Sequence, residues 1–132
     1  MSGTEIPIGT ALVLCDQVIA EEGTHKKTLV GTFNNIKVSA LPCTYPAMAV
    51  FASLTNGRGL TRVTLRCTTV GDSKLQFELP LDVAMPDPGH VSELVFNLRN
   101  VALTVSGIYC LELCAAEEPL LETRFSVQLS PP

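Results

Sequence analysis

The chain has 132 residues, with 9 basic and 13 acidic side chains, a formal charge of −4, 46% apolar residues and no Trp. That length suits one domain around one core, and a charged fraction of 17%, against about 25% in average proteins, excludes intrinsic disorder. The apolar run Ala11 to Cys15, like every other in the chain, falls far short of the roughly 20 residues of a membrane-crossing helix. Lys26-Lys27 is the nearest approach to a basic cluster, which argues against nucleic-acid binding.

In chain order, the opening Met-Ser-Gly-Thr-Glu-Ile-Pro carries no basic region followed by an apolar one, so a cytoplasmic location is expected. Residues 1–9 read as a flexible lead-in and 130–132 as a tail to a single domain spanning 1–132. Between turn signals, apolar and polar residues alternate with period two, and no run of helical length shows a period of 3.6. Strands are expected at 11–21, 27–38, 47–55, 60–69, 74–83, 91–98, 107–115 and 120–129, with a bulge at Asn34-Asn35 in the second. About eight short strands separated by Gly, Pro, Asn and Asp predict an all-β fold, an antiparallel β-sandwich.

Hairpin registers can be read from which side chains must share a face. A two-residue Asn56-Gly57 turn would set Val50 against Val63 and Met48 against Leu65. A Gly71-Asp72-Ser73 loop sets Cys67 against Phe77, Leu65 against Leu79, Arg66 against Glu78 and Arg62 against Asp82. A Glu117-Glu118-Pro119 loop would set Tyr109, Leu111 and Leu113 against Val127, Phe125 and Thr123, and Glu112 against Arg124. Pro80 cannot donate to a ladder and marks an edge strand; Met85-Pro-Asp-Pro-Gly89 reads as a crossover between sheets. Tyr109, just after Gly107, resembles the tyrosine corner of immunoglobulin-like sandwiches. The position two residues on is Leu111, and no Trp is present, so the likeness is to the architecture and not to a disulfide-bonded antibody domain.

The stretches Ala11-Leu-Val-Leu-Cys-Asp16, Gly31-Thr-Phe-Asn-Asn-Ile36 and Glu93-Leu-Val-Phe-Asn-Leu98, with the prolines at 86–88 and Gly107-Ile-Tyr109, resemble an uncharacterised bacterial family of small proteins, a domain of unknown function. The resemblance covers nearly the whole chain and implies a bacterial cytoplasmic β-sandwich of immunoglobulin-like architecture; it implies no substrate and no catalytic residues.

The five cysteines, Cys15, Cys43, Cys67, Cys110 and Cys114, are odd in number and are expected as reduced thiols without a disulfide. Cys110 and Cys114 are roughly 13 Å apart along a strand, too far to share a zinc ion, so no metal site is expected. Cys15 and Asp16 are neighbours in a strand and point to opposite faces. A thiol nucleophile needs a base, and only His25 and His90 are available. Asp16, in an apolar strand, and Tyr109 are structural polar residues that need partners if buried. No phosphate loop, nucleophile elbow or zinc-protease helix appears, so neither a cofactor nor catalysis is expected.

Ala11, Val13 and Cys15 alternate with Leu12 and Leu14, so both faces of the first strand are apolar, and Ala47, Ala49 and Phe51 give the third strand an apolar outer face. A sandwich has one inner face per sheet, so the other must be covered, by the N-terminal segment or by another chain. The expected role is a non-enzymatic interaction or assembly module. It would self-associate as a dimer or bind another protein through Ala47, Ala49, Phe51, Tyr45, Arg58 and His90, or through the loops at 41–46, 56–59 and 85–90; the other reading of 41–46 is a Pro-braced connection with Tyr45 lying over the core. The alternatives are a small-molecule or carbohydrate-binding sandwich and, behind it, a cysteine-dependent enzyme using Cys15 or Cys43.

Overall fold

The computed structural model describes residues 6–130, which form nine strands: β1 (Ile8–Ala20), β2 (Lys27–Thr32), β3 (Asn35–Val38), β4 (Cys43–Thr55), β5 (Gly59–Thr69), β6 (Leu75–Met85), β7 (Ser92–Leu103), β8 (Gly107–Ala115) and β9 (Glu118–Leu129). They assemble into a four-stranded sheet, β2-β1-β4-β7, and a five-stranded sheet, β3-β9-β8-β5-β6. Every pairing is antiparallel except β3 with β9. The all-β, two-sheet architecture read from the alternation is therefore the observed one. Among the described residues all five cysteines are free, and no helix is long and apolar enough to cross a membrane. Residues 1–5 of the lead-in and 131–132 of the tail lie outside the described residues, and β1 already begins at Ile8.

The core lies between the sheets. Met48, Val50, Ala52 and Leu54 of β4, with Leu94, Phe96 and Leu98 of β7, share it with Val63, Leu65 and Cys67 of β5, Leu111 and Leu113 of β8, and Phe125 and Val127 of β9. Each fully buried Leu or Val there contributes about 1.5–3 kcal/mol of transfer free energy. In β4 and β7 the core-facing parity reverses: even-numbered residues face inward up to Met48 and Leu98, whereas Tyr45, Cys43, Val101 and Leu103 pack inward beyond. Asn100, at φ +53°, sits at the reversal, level with Pro46. A Pro lacks the ladder donor and an Asn tolerates the left-handed backbone, so both strands twist there without leaving the sheet.

Three sequence expectations are corrected. The single strand 27–38 is two strands in different sheets: β2 pairs with β1 and β3 with β9. Asn34-Asn35 is thus a crossing between layers, held by the Ser126 amide donating to the Asn34 carbonyl at 2.9 Å. Asn56-Gly57 does not close a hairpin either, because β4 and β5 lie in opposite sheets. Val50 and Val63 both face the core, but from opposite sides of it; inward parity is common to neighbouring and to facing strands. In the last hairpin the facing pairs are Tyr109 with Phe125, Leu111 with Thr123 and Leu113 with Leu121, two residues from the expected register. The cause is a tight turn in which Ala116 and Glu117 adopt positive φ, followed by an irregularity at Leu113/Cys114. Glu112 therefore lies opposite Glu122, and Arg124 opposite Cys110.

The β5–β6 hairpin has the expected register, Cys67 to Phe77 and Arg62 to Asp82. β6, which carries Pro80, is an edge strand, and residues 86–91 cross between the sheets. Tyr109 also behaves as a corner: its buried hydroxyl donates to the Val105 carbonyl at 2.7 Å and accepts from the Val105 amide at 3.2 Å. The ring stacks on Phe125 with centroids 5.1 Å apart. Because the hydroxyl serves both backbone groups of one residue, Tyr109→Phe is expected to lower unfolding free energy by about 1–3 kcal/mol. Urea denaturation measures this, and an unchanged midpoint would deny the corner its stabilising role.

Candidate functional site

The two outer faces differ in chemistry. On the five-stranded sheet, Arg62 Nε binds Asp82 at 2.9 Å, and Arg66 binds Glu78 at 2.8 Å and Glu112 at 3.6 Å. The hydrogen bond and charge of Arg62 hold the Asp82 carboxyl below the usual carboxylate range. Cys110 donates to Glu122 at 3.1 Å and Cys114 to Glu112 at 3.3 Å. Both thiols are buried on this outer face. This face is charged, and its charges are largely paired with one another.

The outer face of the four-stranded sheet is apolar at its centre. Its rows, read across β1, β4 and β7, are Ala11, Ser53 and Glu93; Val13, Phe51 and Val95; and Cys15, Ala49 and Asn97. Ala47 follows beside Arg99. Cys15 and Ala49 are buried, at 0% and 1% exposure, although no second sheet lies on this side. Phe51, Val13 and Val95 are half-buried and Ala47 is exposed.

Part of the cover comes from the chain itself. Glu93 lies level with Ala11 by way of Ser53, whereas Lys27 pairs with Ala20. From Ala11 to Ala20 a straight strand would advance about 30 Å. Lys27 Nζ nevertheless lies 3.2 Å from Glu93 Oε1, so the distal β1–β2 hairpin turns back across the sheet toward β7. The bend is at Gly31, with φ +68°, between the Cys15–Thr32 and Gln17–Val30 pairs. A Cβ at Gly31 would meet the Asp16 carboxyl, so glycine is favoured there by its backbone conformation, and a side chain would have to push the exposed carboxyl aside. A cleft of about 470 Å³ remains beneath, lined by residues that include Gln17, Val18, Ala47 and Arg99.

The expected surface residues do not form one patch. Ala47 and Phe51 lie on the outer face as expected. Ala49 lies there too, but it is buried and offers a partner nothing. Tyr45 packs over the core, its ring centroid 6.3 Å from that of Phe33, the consequence of the parity reversal at Pro46. Arg58 and His90 sit at the opposite end of β4, where the Thr55 hydroxyl donates to the His90 carbonyl at 3.1 Å and the Asn56 amide to the Pro88 carbonyl at 3.0 Å. Tyr45 is thus separated from them by roughly 33 Å of strand. Asp16 is exposed and packs over Gly31, while Tyr109 has the corner role described above. The sequence reading missed Lys27, Gly31 and Glu93. A glycine inside an alternating strand was the available signal for the bend.

The thiols are poorly disposed to act as nucleophiles. Burial pushes Cys67 up to about 12, and burial with the Glu122 hydrogen bond takes Cys110 to about 11. Burial and Glu112 take Cys114 to about 11, and burial, then the charge of Asp16, raises Cys15. Cys15 lies mid-sheet and donates to the Gln17 carbonyl at 3.5 Å. His90 lies beyond the far end of β4, and His25 in the hairpin turn. Cys43 sits at the other end of β4 from His90, roughly 40 Å of strand away. Among the described residues no group of three His, Cys, Asp or Glu side chains could hold a metal ion.

A family model described as "Family of unknown function (DUF6941)" matches residues 10–128. The chain belongs to that family. No curated protein matches this DUF6941 member. Among solved structures, a β-glucosidase from Listeria innocua in complex with glucose is similar at 8% identity and a TM-score of 0.50, over 96% of this chain and 17% of that one. A β-glucosidase from Chaetomella raphigera is similar at 15% identity and 0.49, over 93% and 18%. An immunoglobulin-like protein from Pseudomonas aeruginosa is similar at 11% and 0.44, over 97% and 100%. The chain spans about a sixth of the length of those β-glucosidases, and at such identities the likeness is one of fold alone.

Two outcomes are expected. Gly31→Ala should lower stability by about 1–2 kcal/mol in urea denaturation, since it forces a side chain into positive φ and against Asp16; full retention would place the bend elsewhere. The raised thiols favour the protonated folded state, so the stability they contribute is complete below the ordinary thiol value of 9.0 and is lost as pH rises toward 11–12. Urea midpoints between pH 8 and 11 should fall more steeply for the parent than for the triple variant Cys67→Ala, Cys110→Ser, Cys114→Ser; equal slopes would contradict this.

Proposed function

We propose that this DUF6941 chain is a non-catalytic interaction and assembly module that self-associates as a dimer through the side formed by its four-stranded sheet. The observation that carries the reading is the contrast between the two outer faces. One is a ladder of mutually paired charges, Asp82–Arg62 and Glu78–Arg66–Glu112. The other centres on Val13, Phe51 and Val95, which the hairpin leaves half-buried. Apolar surface left beside a polar rim is the usual mark of a protein partner.

The high thiol values and the separation of Cys15 and Cys43 from His90 support a role without covalent catalysis, and the module works without a cofactor. Five free cysteines, four of them buried, support residence in a reducing bacterial cytoplasm.

Light scattering coupled to size exclusion tests the self-association. At micromolar concentration the mass is expected at about twice the 14.1 kDa of one chain; a monomer mass would overturn the reading.

A further inference from the structure

A sheet edge is a row of unpaired backbone donors and acceptors, and proteins shorten, bend or charge their edges to keep other strands away. The edges here are β2 and β7 in one sheet and β3 and β6 in the other. β3 has four residues, and β2 has six, bent at Gly31. β6 carries Pro80 at its middle, with Glu78 and Asp82 beside it. β7 has twelve residues, contains neither Pro nor Gly, and pairs with β4 without a register break. Its middle, Leu94–Leu98, is uncharged, and its charged residues, Glu93 and Arg99, flank that stretch, exposed and of opposite sign.

We infer that β7 pairs antiparallel with β7 of a second copy about a twofold axis at Phe96, joining two four-stranded sheets into one of eight strands. Charge selects the register. With Phe96 opposite its own counterpart, Glu93 of each copy faces Arg99 of the other, and Val95 faces Asn97. In an antiparallel ladder the residues of one parity point their backbone groups to the free side, so register changes in steps of two. A shift one way leaves Glu93 opposite Asn97 and Arg99 opposite Val91; the other way, Arg99 faces Val95 and Glu93 faces Val101. Only the Phe96-centred register among these three forms two opposite-charge pairs. Glu93 binds Lys27 through Oε1, which leaves Oε2 for the guanidinium. The same pairing brings the two half-buried Val95 side chains together on the joined outer face. The inference rests on the self-association proposed above and assigns it to the edge of the four-stranded sheet; of the outer-face row Val13, Phe51 and Val95, only Val95 enters the contact.

Sedimentation velocity on the full chain as wild type, Glu93→Arg, Arg99→Glu and the double variant tests it, with far-UV circular dichroism to show that each variant is folded. Each single change sets like charges opposite each other at two sites, so a dimer Kd raised at least tenfold is expected; the double variant restores opposite charges and is expected within about threefold of wild type. Should Glu93→Arg lose its fold along with Lys27's partner, Arg99→Glu, which leaves the Lys27–Glu93 pair in place, carries the comparison with wild type. A wild-type dimer that the single changes leave intact, or a double variant as weak as the singles, overturns the β7 pairing and leaves the assembly reading standing. A wild type that is monomeric up to about 100 µM overturns both.

Discussion

The interlocking of alternate side chains between two sheets is the constraint on which the rest of this molecule depends. Once Val50, Leu54 and Phe96 must meet Val63, Leu111 and Val127 across a dry interior, every neighbour in sequence is sent outward. The outer faces are therefore the remainder left by the core. Where the remainder is Arg, Glu and Asp, as on β5, β6 and β8, it satisfies itself. Where it is Ala, Val, Cys and Phe, as on β1 and β4, it needs cover, and the fold responds by bending a hairpin back on itself.

The same constraint explains what was legible in the sequence. Strand existence and face were readable because period two leaves a mark on every residue. Pairing was readable only where a second signal broke its degeneracy. Opposite charges at Arg62/Asp82 and Arg66/Glu78 did so for β5 and β6. For β8 and β9, a slide of two residues preserves every face, and the turn that decides between registers uses Ala116 and Glu117 at positive φ, residue types that give no warning. For β4 and β5, inward parity holds equally for strands side by side and for strands across a core. Of the candidate surface, the outward placement of Ala47 and Phe51 could be read from alternation. The burial of Ala49 could not, since it depends on the hairpin's turn back across the sheet; the flanking prolines pointed to Tyr45 lying over the core, and the reversal at Pro46/Asn100 decides for it over a binding rim.

Bringing apolar surface and thiols together on strand faces has an electrostatic side. Cys110 and Cys114 act as small, half-polar fillers on a charged face, donating to Glu122 and Glu112. The carboxylates gain hydrogen bonds, and the thiols stay protonated. This arrangement spends reactive side chains on packing, in keeping with the frequency of buried free cysteine in protein interiors.

The parallel pair of β3 and β9 ties Asn35–Val38 to Ser126–Leu129, and it is what holds the chain's first crossing between layers in place. Among the described residues β9 is also the only strand that gives β3 a partner in its sheet. Ile36 therefore has no neighbouring strand in its sheet until β9 has formed. The layer crossing at Asn34 is thus tied down by a pairing of high sequence separation, the kind whose loop-closure cost slows folding.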